Sequence, residues 1–326
     1  MTQAAVLAQM GNQNQTFRNR IINGAMMIDQ RNAGASVSTS SGSSIYTVDR
    51  WIAQWSVASK FTIQQNAGSV TPPAGFTNYL GAVSSATTSV GASDYYLLRQ
   101  FVEGLNCADL AWGTASAASV TLSFKVYSSL TGTFGGAIGN SAQDRSYPFS
   151  YTVSSANTWT SVTVTIPGDT SGTWLTTNGV GIRVNFSLGT GSTYSGTAGA
   201  WAGAAYFSAT GATSVVGTNG ATFYITGVQL EKGTVATPFE FRSYGTELAL
   251  CQRYYEVTSV SPYNATMSDG YGRAYYMFKV TKRTTPTIVL GTFGAGSVTA
   301  YVDGIYTAQA SGAAAIGTGT TASAEL

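Results

Sequence analysis

The amino-acid sequence contains no histidine and only two cysteines, Cys107 and Cys251, in 326 residues. Without histidine the chain has no Ser-His-Asp or Cys-His nucleophile and no histidine-based metal site. Two cysteines are too few for a zinc site, so we interpret them as buried free thiols, although the sequence leaves a disulfide between them open. These absences exclude the commonest hydrolase and zinc chemistries.

Charge is also scarce. Charged residues make up 9% of the chain and the formal net charge is +2, whereas about 25% charged residues is usual. A nearly neutral chain has no basic patch for nucleic acid or acidic lipid. No apolar run approaches the ~20 residues of a membrane span, and the N-terminus lacks a signal-peptide pattern. We therefore expect no nucleic-acid partner, no membrane insertion and no export by the standard route.

What the sequence does contain is alternation of apolar and polar residues with a period of two. This pattern is typical of antiparallel strands that have one face in a core and the other in water. Turns rich in Gly and Pro separate the segments. We therefore predict a mostly all-β fold, a jelly-roll β-sandwich followed by a small antiparallel module with one short helix. The clearest strand candidates are 51–57, 95–101, 120–126, 162–166, 182–188, 274–280, 287–290 and 298–302.

The segment 227–256, GVQLEKGTVATPFEFRSYGTELALCQRYYE, marks a boundary between two modules. A strand is predicted to end at Glu231, a tight turn follows at Lys232-Gly233, and a helix is predicted to begin with Thr246 as its N-cap. The predicted division is an N-terminal arm over residues 1–20, a jelly-roll sandwich over 21–245 and a small helix-plus-strands module over 246–326.

Four segments carry a resemblance to a known class of proteins: 18–24 (RNRIING), 46–51 (YTVDRW), 158–174 (TWTSVTVTIPGDTSGTW) and 227–256. Together they resemble bacteriophage virion proteins of the tail-fibre or receptor-binding type, with a jelly-roll domain similar to carbohydrate-binding modules. The resemblance implies a location in the virion, a homotrimer, and host-surface polysaccharide as a partner. No coiled-coil heptads are present, so a short spike or a head–neck appendage is expected rather than a long fibre.

The resemblance also gives the N-terminal arm a role. In proteins of this type the N-terminal segment commonly attaches the protein to other virion proteins. The candidate attachment residues are Phe17, Arg18 and Arg20. A disordered terminus is the alternative.

Aromatic residues outside the alternating strands are the candidate glycan-binding residues. Sugars present C–H faces that stack on aromatic rings, and hydroxyls that suit polar neighbours. The sequence leaves open whether each ring is an exposed platform or a plug that closes the sandwich. Weak single contacts gain avidity of ~10²–10⁴ when several copies are linked. The candidates are Trp174, Tyr194, Trp201 and Tyr206 in the sandwich and Tyr301 and Tyr306 in the C-terminal module.

Acidic residues lie beside arginines, which favours ion pairs over a general acid for glycoside cleavage. Asp169, in the turn PGDTSGTW, is a candidate ligand for a structural calcium ion, and no other cofactor is expected. The predicted ion pairs are Asp29–Arg31, Asp49–Arg50 and Glu240–Arg242.

The last residues, 309–326 (QASGAAAIGTGTTASAEL), contain almost no bulky apolar side chains. They form either a tail or a segment ordered by packing against other chains. We expect the second, because the module is small for a lone domain.

The sequence thus predicts a non-enzymatic virion protein that binds host-surface glycan. One alternative is a capsid or tail decoration protein with no sugar site. A second is a polysaccharide depolymerase that uses Asp169 or Glu240. A third is a secreted bacterial adhesin or an enzyme-appended binding module, against which the absent signal sequence counts.

Overall fold

The computed structural model describes residues 17–258, 265–266, 272–291, 297–309 and 319–326. Residues 1–16 of the predicted arm lie outside this part of the chain. Within it the fold is mostly β, with the α-helix α1 at Tyr244–Gln252.

Twelve strands form two six-stranded sheets that pack face to face. All strand pairs in these two sheets are antiparallel. The first sheet contains, in spatial order, β1 (Val37–Ser38), β4 (Phe61–Gln65), β5 (Leu80–Ser84), β14 (Thr222–Lys232), β7 (Val120–Ser128) and β10 (Thr160–Ile166). The second contains β2 (Ser44–Tyr46), β3 (Trp51–Trp55), β6 (Tyr95–Glu103), β11 (Val180–Thr190), β8 (Gly132–Gly139) and β9 (Ser146–Val153). The chain crosses repeatedly from one sheet to the other, which is the jelly-roll arrangement, so the predicted fold class is confirmed.

The core lies between the two sheets and follows the predicted alternation. In β7, Val120, Leu122, Phe124 and Val126 are all buried in it. Burial of each such side chain contributes about 1.5–3 kcal/mol to folding. Trp51, at the start of β3, is fully buried in the same core.

The prediction that the other face of each strand lies in water is wrong for the second sheet. Leu97 and Phe101 of β6 face away from the core, since Tyr96, Leu98 and Val102 of the same strand line it, yet both are buried. The segment 191–213 covers this outer face. It contains the short parallel pair β12 (Ser195–Gly196) and β13 (Ser208–Ala209), and it bridges to β9 through Ala202.

The strand and the helix predicted in the segment 227–256 lie close to their predicted places. Strand β14 ends at Lys232, and α1 follows from Tyr244. The predicted N-cap at Thr246 is wrong: Ser243 is the N-cap, and its side chain accepts a hydrogen bond from the Thr246 backbone N–H. Ser243 has the extended ψ of 148° that an N-cap residue adopts before the helix begins.

After the helix, the described residues of the C-terminal module form two small antiparallel sheets. The three-stranded sheet contains β15 (Tyr255–Val257), β21 (Thr321–Ser323) and β18 (Thr287–Val289). The four-stranded sheet contains β16 (Ala265–Thr266), β17 (Gly272–Met277), β20 (Gly304–Gln309) and β19 (Ser297–Ala300). A buried ion pair between Lys282 and Glu256, at 2.7 Å, lies in this module, and the Tyr276 hydroxyl donates to the same carboxylate.

The described end of the chain, residues 319–326, packs against other parts of the same chain. Strand β21 lies between β15 and β18, and Ala322 is fully buried. Glu325 accepts hydrogen bonds from Arg31, at 2.7 Å, and from the buried Arg50. These contacts hold residues 319–326 against their own chain, and residues 310–318 of the predicted segment lie outside the described residues. Packing of the segment 309–326 against other chains stays a prediction.

These contacts also correct two of the predicted ion pairs. Arg31 and Arg50 pair with Glu325 and not with their sequence neighbours Asp29 and Asp49. Asp29 instead accepts hydrogen bonds from two backbone N–H groups in the turn that follows it. The third predicted pair, Glu240–Arg242, is present at 3.2 Å.

Both cysteines are buried and free, as interpreted from the sequence. No disulfide joins the modules in this structure. Burial raises the pKa of the Cys107 thiol to about 12.

Candidate functional site

Three tryptophans meet at one end of the sandwich, and two of them are candidates from the sequence. Trp174 and Trp201 pack edge to face against Trp112 with ring centroids 4.6 and 5.4 Å away, and against each other at 5.6 Å. The interplanar angles are 80°, 79° and 80°, so the three rings are nearly mutually perpendicular. We call Trp112, Trp174 and Trp201 the tryptophan cluster.

Each indole of the tryptophan cluster is fixed by a hydrogen bond to the backbone of its surroundings. The N–H of Trp112 donates to the Ala118 carbonyl at 2.7 Å, and that of Trp201 to the Pro167 carbonyl at 2.8 Å. The N–H of Trp174 donates to the carbonyl of Ser171 at 3.2 Å. Ring orientation is therefore set before any ligand arrives, which reduces the entropy lost on binding.

The loop that carries Trp174 is held by an ion pair beneath it. Arg145 donates from Nε and Nη2 to the two carboxylate oxygens of Asp169 at 2.7 and 2.6 Å. Gly172 has a φ of +76°, and a Cβ there would lie 2.4 Å from Cγ of Arg145. Only glycine therefore allows the loop to cross the arginine so closely.

This ion pair also bears on the calcium ligand predicted at Asp169. Both carboxylate oxygens accept from the guanidinium, and one also accepts from the Ser171 backbone N–H. A cation at this carboxylate would face the positive charge of Arg145. Within the described residues, no group of three or more His, Cys, Asp or Glu side chains is placed to hold a metal ion. Asp169 thus acts as an anchor for the loop.

Exposure differs among the three rings. Trp112 is buried in the core, whereas Trp174 and Trp201 are partly buried and pack against that core from outside. The arrangement combines the two roles that the sequence left open, because each outer ring closes the sandwich end with one part and shows the rest to solvent. Their indole N–H groups are already used, so the accessible surface is ring surface suited to stacking.

Tyr194 and Tyr206 lie elsewhere, on the segment that covers the second sheet. Tyr194 stacks on Phe207 with centroids 4.9 Å apart, and both rings contact Tyr95 at 5.5 Å. Tyr206 lies against Gly196, where a Cβ would come within 2.2 Å of its ring. These two tyrosines hold the covering segment in place and do not join the tryptophan cluster.

Tyr301 and Tyr306 lie in the C-terminal module. Tyr306 of β20 is directly opposite Tyr275 of β17, and Tyr301 follows β19. Tyr275 and Tyr301 are about half exposed. The structure therefore places these candidates on a second aromatic surface, separate from the tryptophan cluster in sequence and in fold.

The three attachment candidates lie together at a cleft. Phe17, Arg18 and Arg20 line a cavity of about 990 Å³ together with residues 231–239. Arg20 pairs with Asp109 at 2.8 Å, and Arg18 donates to the Pro238 carbonyl. Phe17 is 60% exposed. Residues 17–20 are thus bound to the sandwich, although the sequence assigned them to a separate arm.

The carboxylates considered for a depolymerase are both engaged. Asp169 is paired with Arg145, and Glu240 accepts hydrogen bonds from the backbone N–H groups of residues 17, 18 and 19. Glu240 is also paired with Arg242. These contacts favour structural roles for both residues.

Sequence reasoning missed Trp112 and Arg145. Trp112 lies in the small-residue segment AWGTAS, so the criterion that selected Trp174 and Trp201 applied to it equally. Arg145 had no comparable signal, because its partner Asp169 is 24 residues away in sequence.

No protein-family model matches the chain, and no curated protein matches it. Solved structures are similar at low identity. A tailspike protein 4 enzymatically active domain from bacteriophage CBA120 is 10% identical over 66% of this chain, with a TM-score of 0.35, and the match spans 22% of that protein. A protein from Bacteroides thetaiotaomicron that is described as sugar-binding is 13% identical over 66% of this chain and 100% of its own length, with a TM-score of 0.34.

A family 11 carbohydrate-binding module from Clostridium thermocellum, in complex with a mixed-linked tetrasaccharide, is also similar. It is 13% identical over 62% of this chain and 96% of its own, with a TM-score of 0.30. In the described part of this chain, no helix has the length and apolar character needed to cross a membrane.

Proposed function

We propose that this protein binds glycans without cleaving them, through the exposed ring surfaces of Trp174 and Trp201. The observation that carries the proposal is the pair of partly buried indoles fixed on buried Trp112. Two rings at 80° to each other present two stacking surfaces to one ligand. Hydroxyl-bearing Ser171, Thr173 and other uncharged residues of the loop supply polar neighbours for sugar hydroxyls.

We propose further that the glycan lies on a host surface and that the protein is part of a virion appendage. The support is the resemblance of four segments to phage virion proteins, and the cleft at Phe17, Arg18 and Arg20 is the surface we assign to attachment. Homotrimer formation belongs to the same proposal, since linked weak sites gain avidity.

The test is glycan binding by the purified protein and by three variants. A glycan array identifies ligands for the parent, and titration gives their affinities. Loss of a single ring contact is worth about 0.5–1.5 kcal/mol beyond buried area, which is about 2- to 12-fold in affinity. We therefore expect Trp174→Ala and Trp201→Ala each to weaken binding by at least that much.

Trp159→Ala is the matched control. Trp159 is also partly buried and also donates its N–H to a backbone carbonyl, that of Thr71, at 2.9 Å, but it packs on the outer tyrosines of the first sheet. We expect this variant to bind as the parent does. Equal binding by all four proteins, or release of sugar fragments from the polysaccharide, would contradict the proposal.

A further inference from the structure

The outer face of the second sheet contains a buried arginine, Arg99, that has no ion-pair partner in the part of the chain that the structure describes. Arg99 of β6 lies directly opposite Asn185 of β11, and the two side chains are on the same face. Arg99 is 2% exposed and Asn185 is 1% exposed. The rings of Phe101 and Phe207 lie 5.7 and 5.1 Å from the guanidinium carbon.

The unsatisfied atoms of this pair are complementary in kind. Nε and Nη2 of Arg99 are buried without a hydrogen-bond partner among the described residues, and so is Oδ1 of Asn185. The Asn185 amide donates to the Ala137 carbonyl at 3.1 Å, which fixes its oxygen as the free acceptor. Nε and Nη2 form one edge of the guanidinium, and that edge matches the two oxygens of a carboxylate.

The charge at this position is also uncompensated. Arg183, whose positive charge also acts on Arg99, donates to the carbonyls of Asn140 and Ser141 and has no carboxylate partner among the described residues. Burial, and next the charge of Arg183, lower the pKa of Arg99 to about 9. A buried cation without an anion is strongly unfavourable, because the desolvation of the charge is not recovered.

We propose that Arg99 and Asn185 bind a hydroxy acid, with the carboxylate on Arg99 and a neighbouring hydroxyl donating to Asn185. A uronic acid unit of an acidic polysaccharide has both groups in this relation, and so does a free hydroxy acid. The site itself is independent of the tryptophan cluster. That its ligand comes as part of a glycan rests on the proposed function.

Entry to the site requires the covering segment to move. Phe207 lies over Arg99 and is held by its stack on Tyr194. We therefore expect Phe207→Ala to increase the association rate constant of the ligand. An unchanged rate would contradict this route.

The first experiment varies the ligand and leaves the protein intact. Calorimetric titration with glucuronate, glucose and acetate separates the two contacts, because glucose lacks the carboxylate and acetate lacks the hydroxyl. We expect glucuronate to bind at least about tenfold more tightly than either, since each loss leaves a buried group unpaired. Equal weak binding of glucuronate and acetate would overturn the assignment of Asn185.

The second experiment varies Arg99. Arg99→Met removes the charge at similar volume, and Arg99→Lys keeps the charge but not the two-pronged edge. We expect Arg99→Met to abolish the rise in Tm that glucuronate gives the parent, and Arg99→Lys to reduce it. Lys125→Met makes the same charge change on the first sheet and should respond as the parent does. A parent protein whose Tm glucuronate does not raise, or an Arg99→Met variant that responds fully, would overturn the proposal.

A third titration, with a uronate-containing oligosaccharide, distinguishes the two sources and the two proposals. If Trp174→Ala and Trp201→Ala no longer bind the oligosaccharide but still bind free glucuronate, both proposals stand. If these two variants still bind the oligosaccharide while Arg99→Met does not, only the proposal of a tryptophan site fails. If Arg99→Met binds both ligands as the parent does, only the present inference fails.

Discussion

Asp49 gives a prediction whose size and sign both follow from its surroundings. The residue is fully buried just before β3, close to the contact between the sandwich and the C-terminal module. Its carboxylate accepts hydrogen bonds from the backbone and side chain of Gln30, and the Gln30 side chain also donates to the Tyr255 carbonyl. Burial raises the pKa of Asp49 to about 6, and the Gln30 hydrogen bonds and the charge of Arg31 oppose the rise.

The pH dependence follows from that raised pKa. The folded state binds the Asp49 proton more tightly than the unfolded chain does, so this group contributes stability that is complete below the unfolded pKa of 3.8. The contribution is lost as the pH rises through about 6. The rise from 3.8 to about 6 corresponds to about 3 kcal/mol, because one pKa unit is worth about 1.4 kcal/mol.

The perturbation is Asp49→Asn, which is neutral at every pH. Urea unfolding of parent and variant at pH 4, 5, 6 and 7.5 gives the difference in the free energy of unfolding. We expect the parent to lose up to about 3 kcal/mol relative to the variant across this range. The substitution also alters the hydrogen bond to Gln30, which shifts the free energy of unfolding by the same amount at every pH. This shift leaves the pH dependence of the difference between parent and variant unchanged.

Asp303→Asn, at an exposed carboxylate, is the control for the series. A difference between parent and Asp49→Asn that stays flat with pH would refute the reasoning. So would a parent that gains stability relative to the variant as the pH rises. A flat difference would mean that Asp49 is solvated in the folded protein. A gain would mean that the Gln30 hydrogen bonds and the charge of Arg31 outweigh burial and lower the pKa of Asp49.

Three further predictions concern stability. Glu325→Gln removes the anion shared by two arginines and should lower the free energy of unfolding, measured in urea, by about 3–5 kcal/mol. A decrease of under about 1 kcal/mol would contradict the packing of the chain end. Lys282→Met should lower the free energy of unfolding by a similar amount, because it leaves the buried Glu256 carboxylate without its cation. Adding Glu256→Gln should recover part of that stability, since the uncompensated buried charge is then gone. A double variant less stable than the single one would contradict this account. Gly172→Ala should weaken glycan binding and lower Tm more than Gly199→Ala does. Both glycines have a positive φ, but only at Gly172 does a side chain, that of Arg145, lie within 4 Å of the added Cβ. Equal effects of the two substitutions would exclude a role for Arg145.

The strands were predictable because their signal is local. The alternation of Val120, Leu122, Phe124 and Val126 identifies β7 without knowledge of its neighbours, since one side of a strand has to be apolar to line a core. The helix was located to within a few residues by the same kind of local signal. Its N-cap was misplaced because Ser243 and Thr246 are both good cap residues, and only the backbone decides between them.

The candidate site was predictable in part. Loop position and residue type selected Trp174 and Trp201, which the fold brings together, and also Tyr194 and Tyr206, which hold the covering segment instead. That the two tryptophans meet was not predicted from the sequence. Whether an aromatic ring in a loop packs on one neighbour or another depends on the paths of distant segments. A single sequence does not contain that information.

By itself the sequence determined the chemistry that this protein lacks and the local form of its chain: no histidine-based site, little charge, and short alternating strands between turns. Only the tertiary structure decided which side chains meet across the sheets. It joined Arg145 to Asp169, brought Glu325 back to Arg50, and buried Arg99 opposite Asn185 with no counter-charge among the described residues. The physical reason is that hydrogen-bonding propensity and apolar alternation act between residues close in sequence, whereas burial and charge pairing depend on the three-dimensional path of the whole chain.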